Sequence, residues 1–163
     1  VLMGGAYTNG NVTPAAEFNI IADADAAYVC FTAGRPITMI GLDVTRKALC
    51  YPSIVDRMDK IGNKASKLFV DLMRHFCKSQ KEVFGWEGGP LHDPITIAWL
   101  IDPSVVETKP MHAEIDIRSV QSYGRTNCDF FGYQKLEPNA DVGIGIDAEK
   151  FWDMVEEVLK MYD

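Results

Sequence analysis

The stretch VLMGGAYTNGNVTPAAEFN, residues 1–19, decides how the chain is read. Val1–Met3 is an apolar run with the character of a buried strand, and Gly4-Gly5 lets the backbone turn sharply out of it. Beyond the turn, Asn11, Glu17 and Asn19 gather around Pro14, so two carboxamides and a carboxylate stand at close spacing. Two readings compete evenly for them. In one, Thr13 caps a helix that begins at Pro14, with Glu17 exposed on its surface. In the other, the trio accepts from and donates to several hydroxyls at once, which suits a polyol such as a sugar better than a phosphate.

Working outward, strand and helix patterns alternate in the first half of the chain, which predicts an α/β domain. A helix is expected over Asp23–Ala33, with Ala26, Ala27, Cys30 and Phe31 recurring at helical spacing. Gly34-Arg35-Pro36 stops it, and Ile37–Leu42 reads as a short strand leading into Asp43-Val44-Thr45. Further helices are expected over Pro52–Lys60 and Asn63–Ser79, the second with Leu68, Phe69, Leu72, Met73 and Phe76 on one side. Gln80–Pro90 reads as a loop, and Asp93–Ile101 as a helix with Ile97, Ala98 and Ile101 inward. Strands are expected at Met111–Ile117, Cys128–Tyr133 and Ala140–Ile146, the first two pairing antiparallel. An amphipathic helix over Ala148–Met161 closes the chain, with a stripe of Phe151, Trp152, Val155, Val158, Leu159 and Tyr162. The expected fold is one domain over 1–163, a mostly parallel open sheet with flanking helices. Ligands of such sheets bind beyond the carboxyl ends of the strands, where the segment after Met3 lies.

Composition narrows the classes. The 163 residues are 47% apolar, with net charge −7 and an isoelectric point near 4.9, as in a globular protein with a real core. No Lys/Arg cluster offers a nucleic-acid surface, and no apolar run approaches the roughly 18 residues of a membrane helix. Cys30, Cys50, Cys77 and Cys128 are widely spaced; they read as reduced, mostly buried thiols of a cytoplasmic protein rather than a zinc site. No G-x-S-x-G, P-loop, H-E-x-x-H or G-x-G-x-x-G sequence is present.

A second constellation is Gly88-Gly89-Pro90-Leu91-His92-Asp93-Pro94. Asp before Pro is an ordinary helix start. Yet His92 can give up a proton at neutral pH, Asp93 can ligate a hard cation, and the preceding segment carries Phe84 and Trp86. His75 and His112 have no acidic or thiol neighbour and read as structural or solvated.

Taken together, Met3-Gly-Gly-Ala, Gly10-Asn11-Val-Thr-Pro14-Ala-Ala-Glu17-Phe18-Asn19, Gly41-Leu42-Asp43-Val44-Thr45 and Gly89-Pro90-Leu91-His92-Asp93-Pro94 resemble the inosine–uridine nucleoside hydrolase family, in the same order and over nearly the whole chain. The resemblance implies hydrolysis of a nucleoside N-glycosidic bond to free base and ribose. It implies that Asn11 and Glu17 hold the 5′-hydroxyl side of the ribose, while Asn19 binds ring hydroxyls near the developing positive charge. Met3 and Phe18 would line the sugar. His92 would act on the leaving base, Gln80 and Phe84 would contact it, and Asp93 would ligate a catalytic Ca²⁺. It also implies a homo-oligomer, dimer or tetramer.

The family's Asp-rich opening motif has no counterpart here, since Asp23-Ala24-Asp25 follows the sugar segment. One carboxylate cannot satisfy the six to eight oxygens about a calcium ion. The expectation is therefore the C-terminal portion of a longer fold, with the remaining metal ligands supplied by a missing N-terminal half. The alternative is a truncated, non-catalytic sugar-binding or interaction remnant of the same fold.

Overall fold

The computed structural model describes residues 1–163. In chain order its elements are β1 (Leu2–Met3), α1 (Phe18–Ala22), α2 (Ala24–Thr32), β2 (Thr38–Ile40), α3 (Leu42–Thr45), β3 (Leu49–Cys50), α4 (Pro52–Asp59), α5 (Lys64–Phe84), β4 (Gly89–Pro90) and α6 (Pro94–Ile101). A 3₁₀ turn (Pro103–Val105) leads to β5 (Val106–Met111), β6 (Ala113–Ile115), β7 (Thr126–Cys128), β8 (Ala140–Ile146) and α7 (Ala148–Lys160). No helix is long and apolar enough to cross a membrane.

The chain divides into two compact units, the first comprising 1–45 and 92–146. Its sheet runs β1-β2-β8-β5, open and mostly parallel as expected. Leu2 pairs with Met39 and Met3 with Ile40, parallel; Thr38 and Met39 pair with Asp141 and Val142, also parallel. Only β5 is antiparallel, matched to β8 from Val106↔Ile146 to Met111↔Ala140 with a bulge between Glu107 and Thr108. The completely buried Met39, Ile40 and Val142 show why the central strands read as unbroken apolar runs. One face packs on Ile20, Ala24 and Phe31 of α1 and α2 and on Ala113 and Ile115 of β6. Asn139 ties these layers together: its Oδ1 accepts from Ala113 N at 2.7 Å, and its Nδ2 donates to the carbonyls of Ala113 and Phe31.

The second unit comprises 46–91 and 147–163. β3 and β4 form an antiparallel pair, and α4, α5 and α7 pack on one another. Asn63 caps α5 through Ser66 N at 2.8 Å, while its Nδ2 donates to the carbonyls of Leu159 and Tyr162 at the end of α7. Arg57 of α4 pairs with Asp153 and Glu156 of α7.

Several expectations are corrected. The α5 helix continues past Ser79 and ends at Phe84, where Gly85 takes the left-handed conformation (φ 71°) and its N–H bonds to Lys81 O. Gln80 and Phe84 are therefore helical rather than on a loop. Helix α2 turns Ala24, Ala27, Tyr28 and Phe31 inward and leaves Ala26 and Cys30 exposed. On α5 the buried residues are Ser66, Val70 and Met73, with Leu68 and Leu72 exposed; on α6 they are Ile95 and Ala98, with Ile97 and Ile101 exposed. Helical periodicity locates apolar positions but does not say which of them this chain covers. Strand β5 was not expected, because Lys109 and Pro110 interrupt its pattern; Pro110 is tolerated on an edge strand. The strand expected over Cys128–Tyr133 lies instead at Thr126–Cys128, and beyond it the Asp129 carboxylate accepts from Tyr133 N and Gln134 N and curls the chain away.

Candidate functional site

Residues 10–16 do not form a helix. The N–H groups of Asn11, Val12 and Thr13 all turn toward the Ala16 carbonyl, and Thr13 Oγ1 accepts from Ala15 N and Ala16 N. A Cβ at Gly10 would lie 2.1 Å from the Ala16 oxygen, so this compact turn requires glycine there.

The helix begins instead at Phe18, and Glu17 is its N-cap. Glu17 is only 2% exposed. Its Oε2 accepts from Gly5 N at 2.9 Å, Asn19 N at 2.9 Å and Ile20 N at 3.2 Å, and its Oε1 accepts from Asn19 N at 2.9 Å. Backbone amides thus satisfy a buried carboxylate where a cation would otherwise be needed. Asn11 Oδ1 accepts from Phe18 N at 2.8 Å. Asn19 Nδ2 donates to Met3 O at 3.2 Å and lies equally close to Met3 Sδ. A carbonyl can meet only the donor end of an amide, so the Met3 contact fixes which way Asn19 presents its oxygen. Met3, Asn11, Glu17, Phe18 and Asn19 are therefore one hydrogen-bonded group at the carboxyl end of β1.

The carboxyl end of the adjacent strand β2 is stapled to the same turn. Leu42 N donates to Gly5 O at 2.9 Å, and a Cβ at Gly41 would lie 2.6 Å from that oxygen. Asp43, on α3, accepts from Tyr7 N at 2.7 Å and from the Thr8 hydroxyl. Burial, followed by the Asp43 charge, raises the Tyr7 phenol above its ordinary value. Two positions further on, Thr45 Oγ1 and His92 Nδ1 share a hydrogen bond of 2.7 Å. The contacts run without a break from Glu17 through Gly5 and Leu42 to Thr45 and His92, beside Asp93. Asp43 and Thr45 are not among the expected site residues, although both lie in the Gly41-Leu42-Asp43-Val44-Thr45 stretch that carries part of the family resemblance and directly follow an apolar strand.

Asp93 is exposed and makes no side-chain capping bond to α6, although it occupies the cap position. Its carboxylate is not spent on the helix start. No three His, Cys, Asp or Glu side chains converge anywhere in the chain. Burial pushes Cys128 up to about 12, so it stays a protonated thiol rather than a nucleophile. In the second unit, Gln80 lies on the last turns of α5, and the Phe84 ring stacks on Trp86 at 4.9 Å, with Arg46 over the Trp86 face. A pocket of about 430 Å³, lined by Phe31, Arg35, Ile37, Asn139 and Asp141, lies at the amino ends of β2 and β8 and holds none of these groups.

The sequence model described as inosine-uridine preferring nucleoside hydrolase matches residues 1–153. The chain belongs to this family. As a nucleoside hydrolase family member it is 48% identical over 162 residues to the pyrimidine-specific ribonucleoside hydrolases RihB of Shigella flexneri and Escherichia coli O157:H7, covering 99% of itself and 52% of each. Its fold is similar to the purine-preferring ribonucleoside hydrolase from Gardnerella vaginalis (TM-score 0.86, 33% identity, covering 99% of this chain and 52% of that one). It is also similar to a plant nucleoside hydrolase (TM-score 0.84, 25% identity, covering 96% and 52%). The chain spans about half the length of these relatives.

Proposed function

We propose that the protein hydrolyses the N-glycosidic bond of ribonucleosides to free base and ribose, and that residues 3–19 with His92 and Asp93 are this chain's share of the site. One observation carries the reading. The amide–carboxylate group and the His92-Asp93 pair join loops that follow two adjacent parallel strands, in a chain of the nucleoside hydrolase family.

Asn11 and Glu17 hold the 5′-hydroxyl side of the ribose. Glu17 Oε1 carries one backbone N–H against three on Oε2, so it retains lone-pair capacity for a hydroxyl. Phe18, exposed on α1, and Met3 line the sugar. Asn19 directs its amide oxygen toward the ring hydroxyls and toward C1′, where positive charge builds as the bond to the base lengthens. The water oxygen then bonds to C1′ as the base nitrogen leaves with the electron pair; one water proton stays on the new C1′ hydroxyl and the other is balanced by the proton that the base nitrogen gains. His92 acts on that nitrogen, as proton donor or as contact. Asp93 is assigned as the one ligand this chain gives to a Ca²⁺ ion. The residues of this chain alone do not complete a calcium shell.

A second reading is a sugar-binding protein without turnover, in which the amide–carboxylate group at the end of β1 grips a polyol. Assay of the full protein with uridine and with inosine, following reducing-sugar release, separates the two. Ribose release that disappears with chelator and returns with Ca²⁺ is expected, and replacing both His92 and Asp93 by Ala should lower kcat at least about 100-fold. No release from either nucleoside by the folded protein excludes the hydrolase and leaves the second reading.

A further inference from the structure

We infer that Thr45 is a positioning residue for His92, setting the orientation from which the imidazole meets the leaving base; this rests on the nucleosidase reading above. Thr45 is completely buried, and its side chain reaches His92 Nδ1 at 2.7 Å. A hydroxyl that removes one ring nitrogen from the choices available fixes both the plane of the imidazole and the edge it offers. With Nδ1 engaged by a buried hydroxyl, the ring is held in one orientation.

The hydroxyl itself stands on a rigid base. Thr45 N donates to Gly41 O at 3.1 Å, Leu42 N is held by Gly5 O, and Gly41 is pressed against the same Gly5 carbonyl. The neighbouring Val44 is completely buried, and its Cγ2 would lie 2.7 Å from a Cβ at Gly143 of β8. The turn after β1 that receives the Glu17 carboxylate therefore also fixes the element that holds His92. A small displacement of a reacting group forfeits a large part of the rate, so a contact remote from the chemistry can govern turnover without touching substrate.

The test uses the full protein and compares Thr45→Val, which keeps the shape and removes the hydroxyl, with Thr45→Ser, which keeps the hydroxyl. For Thr45→Val, kcat on uridine or inosine is expected to fall about ten- to a hundredfold while KM changes less than about twofold. Thr45→Ser is expected to recover most of the loss. Independently of activity, a crystal structure of Thr45→Val is expected to show His92 rotated or in two orientations, and that of Thr45→Ser to show the parental ring.

Parental kcat in a folded Thr45→Val protein, or an unmoved His92 ring in its structure, overturns the inference alone. A parent protein that releases no ribose overturns the nucleosidase reading as well, so the two failures are told apart. Should Thr45→Val not fold, Thr45→Ala carries the same expectations, and an inactive but folded Thr45→Ser counts against the proposal.

Discussion

The Glu17 carboxylate lies 2.9 Å from the Gly5 N–H, joining the cap of α1 to the turn that ends β1. The segment between them is thereby closed at its base. The question posed by residues 10–19, whether these groups cap a helix or hold a ligand, receives a compound answer. Glu17 caps, Asn11 secures the same helix start, and Asn19 is braced on Met3, leaving their remaining polar atoms fixed at one strand end.

Replacing Glu17 by Gln keeps the shape but exchanges one acceptor oxygen for a donor among backbone N–H groups. One donor is then left facing another at a residue that is almost wholly buried. A loss of about 1–3 kcal/mol is expected, read as a lower urea midpoint at unchanged slope. An unchanged midpoint would mean that the carboxylate is not the keystone of this turn.

Gly5 has φ 75°, and a Cβ there would lie 2.7 Å from Thr126 Oγ1 and 3.0 Å from Met39 Sδ. Gly5→Ala combines left-handed backbone strain with a collision inside the core. We expect a cost of about 2 kcal/mol or more, seen as a lower thermal midpoint. Gly34 shares the positive φ (65°) but has open space around it, so Gly34→Ala should cost clearly less. Equal effects at the two positions would remove the steric half of the argument.

Much of the fold is legible in the residues themselves. Strand β8 coincides with its expected range of Ala140–Ile146, and α2 lies within the expected Asp23–Ala33, with Asp23 as its cap rather than its first residue. What escapes is long-range. A lone Glu three residues after a Pro is ordinarily exposed, and one of the groups that satisfy the buried Glu17, the Gly5 N–H, lies twelve positions earlier. His92 and Asp93 declare themselves by residue type, but the hydroxyl that holds His92 lies 47 positions away in sequence. No local pattern encodes such a pairing.

Asp43 supplies a second brace for the loop after β1, through Tyr7 N and the Thr8 hydroxyl. Asn at this position still offers an oxygen to Tyr7 N and a donor to the Thr8 oxygen, because a hydroxyl both gives and accepts. Ala offers neither. Asp43→Asn should therefore stay within about 0.5 kcal/mol of the parent, while Asp43→Ala loses about 1–2 kcal/mol. Hydrogen exchange at Tyr7 N should quicken only in the Ala variant; protection retained there would show that the brace is redundant.

Acid stability should depend in part on Asp116, which organises the turn joining β6 to β7. Its Oδ2 accepts from Ser122 Oγ at 2.5 Å, and its Oδ1 accepts from Arg118 N and Ser119 N at 2.9 Å. The Ser122 hydroxyl first, then the two backbone amides, hold this carboxyl below the usual carboxylate range. A group whose folded value is depressed binds its proton more readily when unfolded, so it favours the folded state only while ionised. The contribution is therefore complete above the unfolded value of about 3.9 and fades as the pH falls below it, through the lower folded value. Asp116→Asn should lose stability at neutral pH and show a shallower decline on acidification than the parent. Urea midpoints at neutral pH and at successive steps below pH 4 measure both. Parallel pH profiles for the two proteins would show that the turn does not depend on the charge.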